Sequence, residues 1–283
     1  MLRVLRANNP SPLTGPGTNT WLLGRRQIAV IDPGPDDPAH VAAILEAVRG
    51  AEVTAIVVTH AHLDHSAAVP ALAAATGAPV MGFGAPTAGR SPVMARLAAE
   101  GLAGGGEGLD AGFTPDRRLA DGDAIESGEW RLTALWTPGH FGGHLAFRWD
   151  RSLFVGDLVL GWATTLISPP DGDLTDYMRS LERLAGLSLD RFLPGHGNPI
   201  EDPAARLSFL AAHRRARTAE LLAALRDGPA DPATLARRIY DVAPEILPAA
   251  TRNVFAHLVA LEALGAVASE GPVSPTARFA LAG

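Results

Sequence analysis

The chain has 283 residues, 47% of them hydrophobic and 19% charged, enough apolar material for one large domain or for a larger and a smaller one. It contains neither cysteine nor lysine, which excludes disulfides and thiolate ligands and leaves His, Asp and Glu to bind any metal. The formal net charge of −6 argues against a generally basic surface that coats nucleic acid. Glycine, proline or charge interrupts every apolar run before it could span a membrane.

The first six residues are too short in their apolar part for a signal peptide, so a soluble cytoplasmic protein is expected. Residues 21–23 and 28–31, joined by a Gly24-Arg25-Arg26 turn, predict a hairpin ending on Asp32-Pro33-Gly34. Residues 38–49 have helical spacing (Val41, Ile44, Leu45, Val48) and stop at Gly50. A strand over 53–58, an Ala-rich helix over 66–76 and a strand over 79–82 follow. The Gly-, Ala- and Pro-rich stretch 84–116 reads as irregular, with one helix near 92–100. Strands return at 124–125, 130–136, 145–149 and 153–155, with long loops near 137–143, 156–173 and 194–199. Strands joined by turns and interleaved with helices predict an α+β sandwich.

Composition shifts near Pro203. A long Ala/Leu/Arg helix over 203–227 ends at Gly228-Pro229, and a short helix capped by Asp231 follows. Pro248 opens a third helix that Gly265 closes. The tail 267–281, with Gly271-Pro272 and Ser274-Pro275, suits a hairpin wing. The expected domains are 1–203, and 204–283 as a long helix plus a small winged-helix unit. Residues 1–203 carry 15 arginines against 23 acids, whereas 204–283 carry 9 against 7, so the total charge weakens nucleic-acid readings without removing them.

The chemistry concentrates in Thr59-His60-Ala61-His62-Leu63-Asp64-His65, directly after the apolar run 53–58. Imidazole and carboxylate suit zinc and other first-row divalent metals. Their spacings across a strand-to-helix turn let the four groups diverge toward two neighbouring ions, since one tetrahedral ion could not use them all and keep a position open for water. Three later motifs match in kind: Thr137-Pro138-Gly139-His140, Gly156-Asp157 and Pro194-Gly195-His196-Gly197. Each follows a strand, and glycine permits the sharp bends and close approaches of a crowded centre.

These four motifs, in this order over residues 60–196, resemble those of the metallo-β-lactamase-fold hydrolases. The resemblance implies an αββα sandwich with a dinuclear site at one edge. It assigns His60, His62 and His140 to one metal, Asp64, His65 and His196 to the other, and Asp157 to a bridge between them. Zinc is the default, with iron or manganese able to use the same ligands. Asp32 matches a position that orients a histidine ligand, or else it is a turn-forming cap. Two dications roughly 3.5–4 Å apart bring the pKa of a bridging water from about 15.7 to near neutrality, so the implied reaction is hydrolysis by the hydroxide so formed. Asp64 is placed to orient that hydroxide or shuttle its proton as well as to ligate.

The absence of cysteine separates the chain from the cysteine-using β-lactamases. Asp157 separates it from the histidine-only ones, His62 from the flavo-di-iron proteins, and Leu160 from the lactonases that carry tyrosine there. Glyoxalase II-type thioesterases share Thr-Pro-Gly-His and a second Gly-His, here Gly143-His144. The nearest resemblance is to the β-lactamase-like branch with a C-terminal winged helix, whose vertebrate members are associated with endoribonuclease activity. It extends through Asn9, Gly17-Thr18-Asn19-Thr20, Asp173-Leu174-Thr175-Asp176-Tyr177-Met178-Arg179-Ser180-Leu181 and His213-Arg214. The chain departs from the vertebrate pattern in a longer 162–172 segment and in Phe141-Gly142-Gly143, which makes the mouth more apolar.

His144 is a candidate catalytic contact to a substrate oxygen, or a structural histidine. His213, with Arg214, Arg215 and Arg217, either grips an anionic group or lies on a solvated face. Trp162, Phe141 and Trp21 are candidates for an apolar substrate wall. A DNA-reading helix needs Arg and Asn or Gln at its exposed start, and residues 248–256 offer only Arg252 and Asn253. The C-terminal module is therefore expected to cap the active site or form a homodimer contact. The functional expectation is a dinuclear metallohydrolase acting on an ester, thioester or lactone, or on a phosphodiester such as single-stranded RNA. The non-enzyme alternative is a nucleic-acid-binding regulator with a structural metal site.

Overall fold

A computed structural model describes residues 1–104 and 108–283; part of the stretch expected to be irregular, 105–107, lies outside the described residues. In chain order the elements are β1 (Leu2–Arg6), β2 (Asn19–Leu23), β3 (Gln27–Ile31), α1 (Pro38–Ala47), β4 (Glu52–Val57), α2 (Leu63–Ser66), α3 (Val69–Thr76), β5 (Val80–Gly82), α4 (Pro92–Ala99), β6 (Arg117–Arg118), β7 (Ala124–Glu126), β8 (Arg131–Trp136), β9 (Leu145–Trp149), β10 (Ser152–Gly156), α5 (Leu174–Ala185), β11 (Arg191–Pro194), α6 (Pro203–Ala224), α7 (Pro232–Ile239), α8 (Leu247–Ala263), β12 (Val267–Ser269) and β13 (Phe279–Leu281).

Strands β1 to β6 form one sheet in sequence order, and β11-β10-β9-β8-β7 form a second. Side chains alternate across a strand, so one residue set faces the partner sheet and the other faces a helix layer. In β3, Ala29 and Ile31 join the core between the sheets, packed with Phe147 and Phe154 of the second sheet. Ile28 and Val30 face the opposite way, toward Ile44 of α1 and Leu72 of α3. Behind the second sheet, Leu153 and Phe192 pack against Tyr177 and Leu181 of α5 and Leu207 and Leu210 of α6. The result is an α+β protein with the four-layer αββα sandwich that the family resemblance implies. Fully burying one such Leu, Ile or Phe contributes about 1.5–3 kcal/mol.

The C-terminal part is three helices and the β12-β13 hairpin, a winged-helix unit with a core of Leu235, Val254, Phe255, Leu258 and Phe279. Helix α6 belongs to both cores, Leu207 and Leu210 to the sandwich and Leu221 to the C-terminal unit. Met94 and Leu97 of α4 also pack into that unit. No helix among the described residues is long and apolar enough to cross a membrane.

Two features differ from expectation. The helix expected over 66–76 starts later, at Val69, as α3, with Pro70 in its first turn where the missing N–H costs nothing, and the short helix α2, Leu63–Ser66, precedes it. Strands β1 and β6 complete the first sheet as its edges, although the sequence pattern at Leu2–Arg6 and Arg117–Arg118 is interrupted by arginines: Arg6, Arg117 and Arg118 stay exposed, and the half-buried Arg3 donates to Ala47 O.

Candidate metal centre

The parallel pairings β3–β4 and β10–β11 bring four strand ends to one edge of the sandwich. Asp32 follows β3, the histidine cluster follows β4, Asp157 follows β10 and His196 follows β11. Antiparallel β9 lies between β8 and β10, so the end of β8 delivers His140 to the same edge. Two glycines let the loops close. A Cβ on Gly195 would stand 2.5 Å from Asp157 Oδ1, and one on Gly156 (φ +46°) would stand 2.6 Å from His144 Nε2.

All seven residues expected to bind metal meet here. His60 Nε2 is 2.9 Å and His140 Nε2 is 3.2 Å from His62 Nδ1. On the other side, His196 Nε2 is 3.2 Å from Asp64 Oδ2, and His65 Nε2 is 3.6 Å from it. Asp157 lies between the groups: its Oδ1 is 3.4 Å from His65 Nε2, and its Oδ2 is 3.2 Å from His196 Nε2 and 4.0 Å from His140 Nε2. Donor atoms within 4.8 Å of one another define three overlapping sets, His60/His62/His140, His60/His65/Asp157 and Asp64/His65/His196.

The outer nitrogens fix the rings. His65 Nδ1 lies 3.0 Å from Asp32 Oδ2. His140 Nδ1 donates to Leu166 O at 2.7 Å, and His196 Nδ1 to Gly17 O at 3.3 Å. Thr59 Oγ1 donates to Asp32 Oδ2 (2.8 Å), so it accepts from His60 Nδ1 (3.0 Å). A carboxylate or carbonyl behind Nδ1 places the proton there and leaves Nε2 free to ligate. Four histidines therefore direct Nε2 lone pairs into one volume, and His65 Nε2 and Asp157 Oδ1 are buried there without a hydrogen-bond partner. A divalent cation satisfies these atoms, and the donor set fits it.

Charge is divided across the cluster. Burial and the neighbouring histidines push His62 down to about 3 and hold His60 well below its ordinary range. At the opposite end burial works against protonation, yet the Asp157 and Asp64 carboxylates raise His196 to about 9 and His65 well above its usual value. Asp64, despite burial, is pulled to about 2 by His65 and His196. This end attracts positive charge.

A cavity of about 260 Å³ opens over the cluster, reaching His62, Asp64, His140, Asp157 and His196. Leu13, Leu160 and Trp162 form one side, and Tyr240, Val242, Ile246 and Asn253 of the C-terminal unit form another. The module caps the site. Other candidates fall elsewhere. Instead of meeting a substrate oxygen, His144 is fully buried behind His60, its ring centroid 5.3 Å away and its Nδ1 2.9 Å from Thr137 Oγ1. Phe141 is buried and backs His62, and Trp21 belongs to the core between the sheets. His213 stacks on Phe209 of its own helix.

The sequence offers Arg214 only as part of an anion grip or a solvated face and gives Arg206 no role, because an Arg-rich helix resembles a solvated face. Both turn inward onto the loop beside the metal residues. Arg206 donates to Leu160 O and Ala163 O, and Arg214 to Thr165 O and Asn253 Oδ1. Arg217 donates to Ile239 O. At the N-terminus, Asn19 Nδ2 donates to Pro194 O and Gly197 O, which fixes the His196 turn.

The metallo-beta-lactamase superfamily model matches residues 13–196, and the beta-lactamase associated winged helix domain model matches residues 232–273. The beta-lactamase-like protein 2 homolog of Drosophila melanogaster is 31% identical over 94% of this chain and 88% of that protein. The atrochrysone carboxyl ACP thioesterase of Aspergillus fumigatus is 28% identical over 80% of this chain, which spans 65% of its length. Among solved structures, a metallo-beta-lactamase family protein from Thermus thermophilus covers 99% of this chain and 98% of its own, with a TM-score of 0.79 at 29% identity.

Proposed function

Because this chain belongs to the metallo-beta-lactamase superfamily and carries the associated winged helix domain, we propose that it is a dinuclear metal-dependent hydrolase of esters or thioesters with an apolar acyl group. The observation that carries this reading is the cavity wall. Leu13, Leu160, Trp162, Val242 and Ile246 surround the cluster, and among the described residues no arginine lines it. With no lysine in the chain, the protein offers a phosphate chain no fixed cation there. Three of the four arginines of α6, Arg206, Arg214 and Arg217, are occupied by the carbonyls of Leu160, Ala163, Thr165 and Ile239, and the exposed Arg215 is not among the residues that line this cavity. The thioesterase named among the relatives agrees with an acyl substrate.

His60, His62 and His140 would hold one divalent ion and Asp64, His65 and His196 a second, with Asp157 between them. Zinc, iron or manganese bound there supplies a water of lowered pKa and a Lewis acid for the acyl oxygen. Asp64, a quarter exposed on its side chain, faces the cavity beside Asp157 and orients the attacking water by accepting a hydrogen bond from it. Leu160 and Trp162 exclude bulk water and seat the acyl chain. His144 supports the His60 ring from below and touches no reactant.

The test is turnover by metal-reconstituted protein on an S-acyl thioester, a lactone, bis(p-nitrophenyl) phosphate and single-stranded RNA, with His60→Ala and Asp157→Ala as controls. Acyl cleavage by the wild type alone is expected. Cleavage of the phosphodiesters alone would replace the acyl reading with the nuclease one. Salt-dependent binding of duplex DNA without turnover would favour the regulator.

A further inference from the structure

One peptide group connects the C-terminal unit to the metal cluster. The carbonyl of Leu166 accepts the Nδ1 proton of His140 at 2.7 Å. The N–H of the same peptide, that of Ile167, donates to Asn253 Oδ1 at 3.1 Å. Asn253 Oδ1 also accepts from Arg214 Nη1 at 3.1 Å, and the other terminal nitrogen of that guanidinium donates to Thr165 O. Thr165 Oγ1 in turn donates to the carbonyl of Asp157. Residues 165–167 are therefore clamped between α6 and α8 on one side and two residues of the cluster on the other.

Arg214 is 2% exposed, and its guanidinium stands 5.4 Å from the centroid of Tyr177. Burying a guanidinium is costly, and here its terminal donors go to two neutral oxygens, Asn253 Oδ1 on α8 and Thr165 O on the loop that backs His140. A peptide whose N–H is already donating is a better acceptor at its carbonyl. Asn253 thus strengthens the bond that keeps the His140 proton on Nδ1 and turns Nε2 toward His62 and Asp157.

We infer that Asn253 and Arg214 are positioning residues for His140, so that the winged-helix unit is part of the metal site rather than only its roof. This rests on the metal reading above. The sequence pattern gives Asn253 no such role, since there it figures only, with Arg252, as too little for a DNA-reading helix.

The experiment is titration of metal-free full-length protein with Co(II), following visible absorption, and with Zn(II) against a competing chelator. Asn253→Leu removes the acceptor, Asn253→Asp keeps one beside Arg214, and Arg217→Met is a control that disturbs the same helix at α7. For Asn253→Leu, one of two ions is expected to bind about 10–100-fold more weakly with an altered Co(II) spectrum. The second ion should bind as in the wild type. Asn253→Asp is expected to stay within about threefold of wild type, and Arg217→Met should be unchanged. Wild-type affinity and spectrum in Asn253→Leu would overturn the inference, as would equal losses in Arg217→Met. If Asn253→Leu does not fold, Arg214→Lys decides. It keeps the charge but cannot reach both oxygens, and it should weaken the same ion about tenfold; wild-type binding there overturns the inference. A wild type that binds no divalent ion would overturn the metal reading itself, an outcome distinct from these.

Discussion

Asp32 Oδ2 lies 3.0 Å from His65 Nδ1 with both side chains almost wholly buried, and the same oxygen accepts from Thr59 Oγ1 at 2.8 Å. Through Thr59, which accepts from His60 Nδ1, one carboxylate thereby sets the proton positions of two histidines assigned to different ions. Its backbone sits at φ +52°, a conformation tolerated by Asp in turns, but its carboxylate serves Thr59 and His65 rather than its own turn, whose Gly34 N–H donates to His65 O. Asp32→Ala is expected to lower metal affinity about 10–100-fold at both positions. Chelator competition measures it; loss at one position alone would contradict the shared role.

Removing the metal should cost stability as well as activity. The buried, unpartnered Nε2 of His65 and Oδ1 of Asp157 lose the cation that satisfies them. A ligand at 1,000 times its Kd stabilises by about 4 kcal/mol, so chelation should lower the thermal midpoint by several degrees, and added Zn(II) should restore it. An unchanged midpoint in protein verified as metal-free would mean that the cluster is self-sufficient without an ion.

The sandwich and the cluster were legible in the sequence because both are written locally. Continuous apolar runs such as 53–58 end on short polar motifs, and His60, His62, Asp64 and His65 sit within six residues; the αββα layering and the two ligand sets follow from the family resemblance that these motifs carry. The surroundings of the cluster were not. Arg214 meets Thr165 and Asn253 at separations of 49 and 39 residues, and nothing in its neighbourhood of Arg215 and Arg217 tells an inward arginine from a solvated one. His144 shows the converse. Its spacing from His140 suits a substrate contact or a structural histidine, and burial behind His60 with a bond to Thr137 favours the second.

On the proposed acyl reading, Trp162, which lines the cavity over the cluster, limits the length of chain it seats. Its indole lies against two glycine backbones, and a Cβ at Gly15 or at Gly197 would stand 2.9 Å from it. Trp162→Ala removes an apolar wall worth about 1–2 kcal/mol of contact to a bound acyl chain. That corresponds to about 5–30-fold in kcat/KM for short apolar esters, mostly through KM. Bulkier acyl groups should lose less or gain. A series of p-nitrophenyl esters of increasing chain length reads this out, and a uniform drop in kcat across it would remove Trp162 from specificity.

His257, on α8, gives a pH signature independent of the metal. It is 1% exposed and hydrogen-bonds through Nδ1 to Thr218 Oγ1 at 2.9 Å. Burial first, then the positive field of Arg214, lowers it to about 3. The unfolded chain takes up this proton as pH falls below about 6.5, while the folded chain stays neutral until about 3. The unfolded state therefore binds more protons across that window, and stability falls with pH at about 1.4 kcal/mol per unit from this residue. His257→Gln should lower stability near neutrality, because it perturbs the Thr218 contact, and should flatten the acid limb by that slope. Urea unfolding of metal-free protein between pH 6.5 and 4.5 measures both. Parallel acid limbs in wild type and variant would show that His257 is protonated in the folded protein despite its burial.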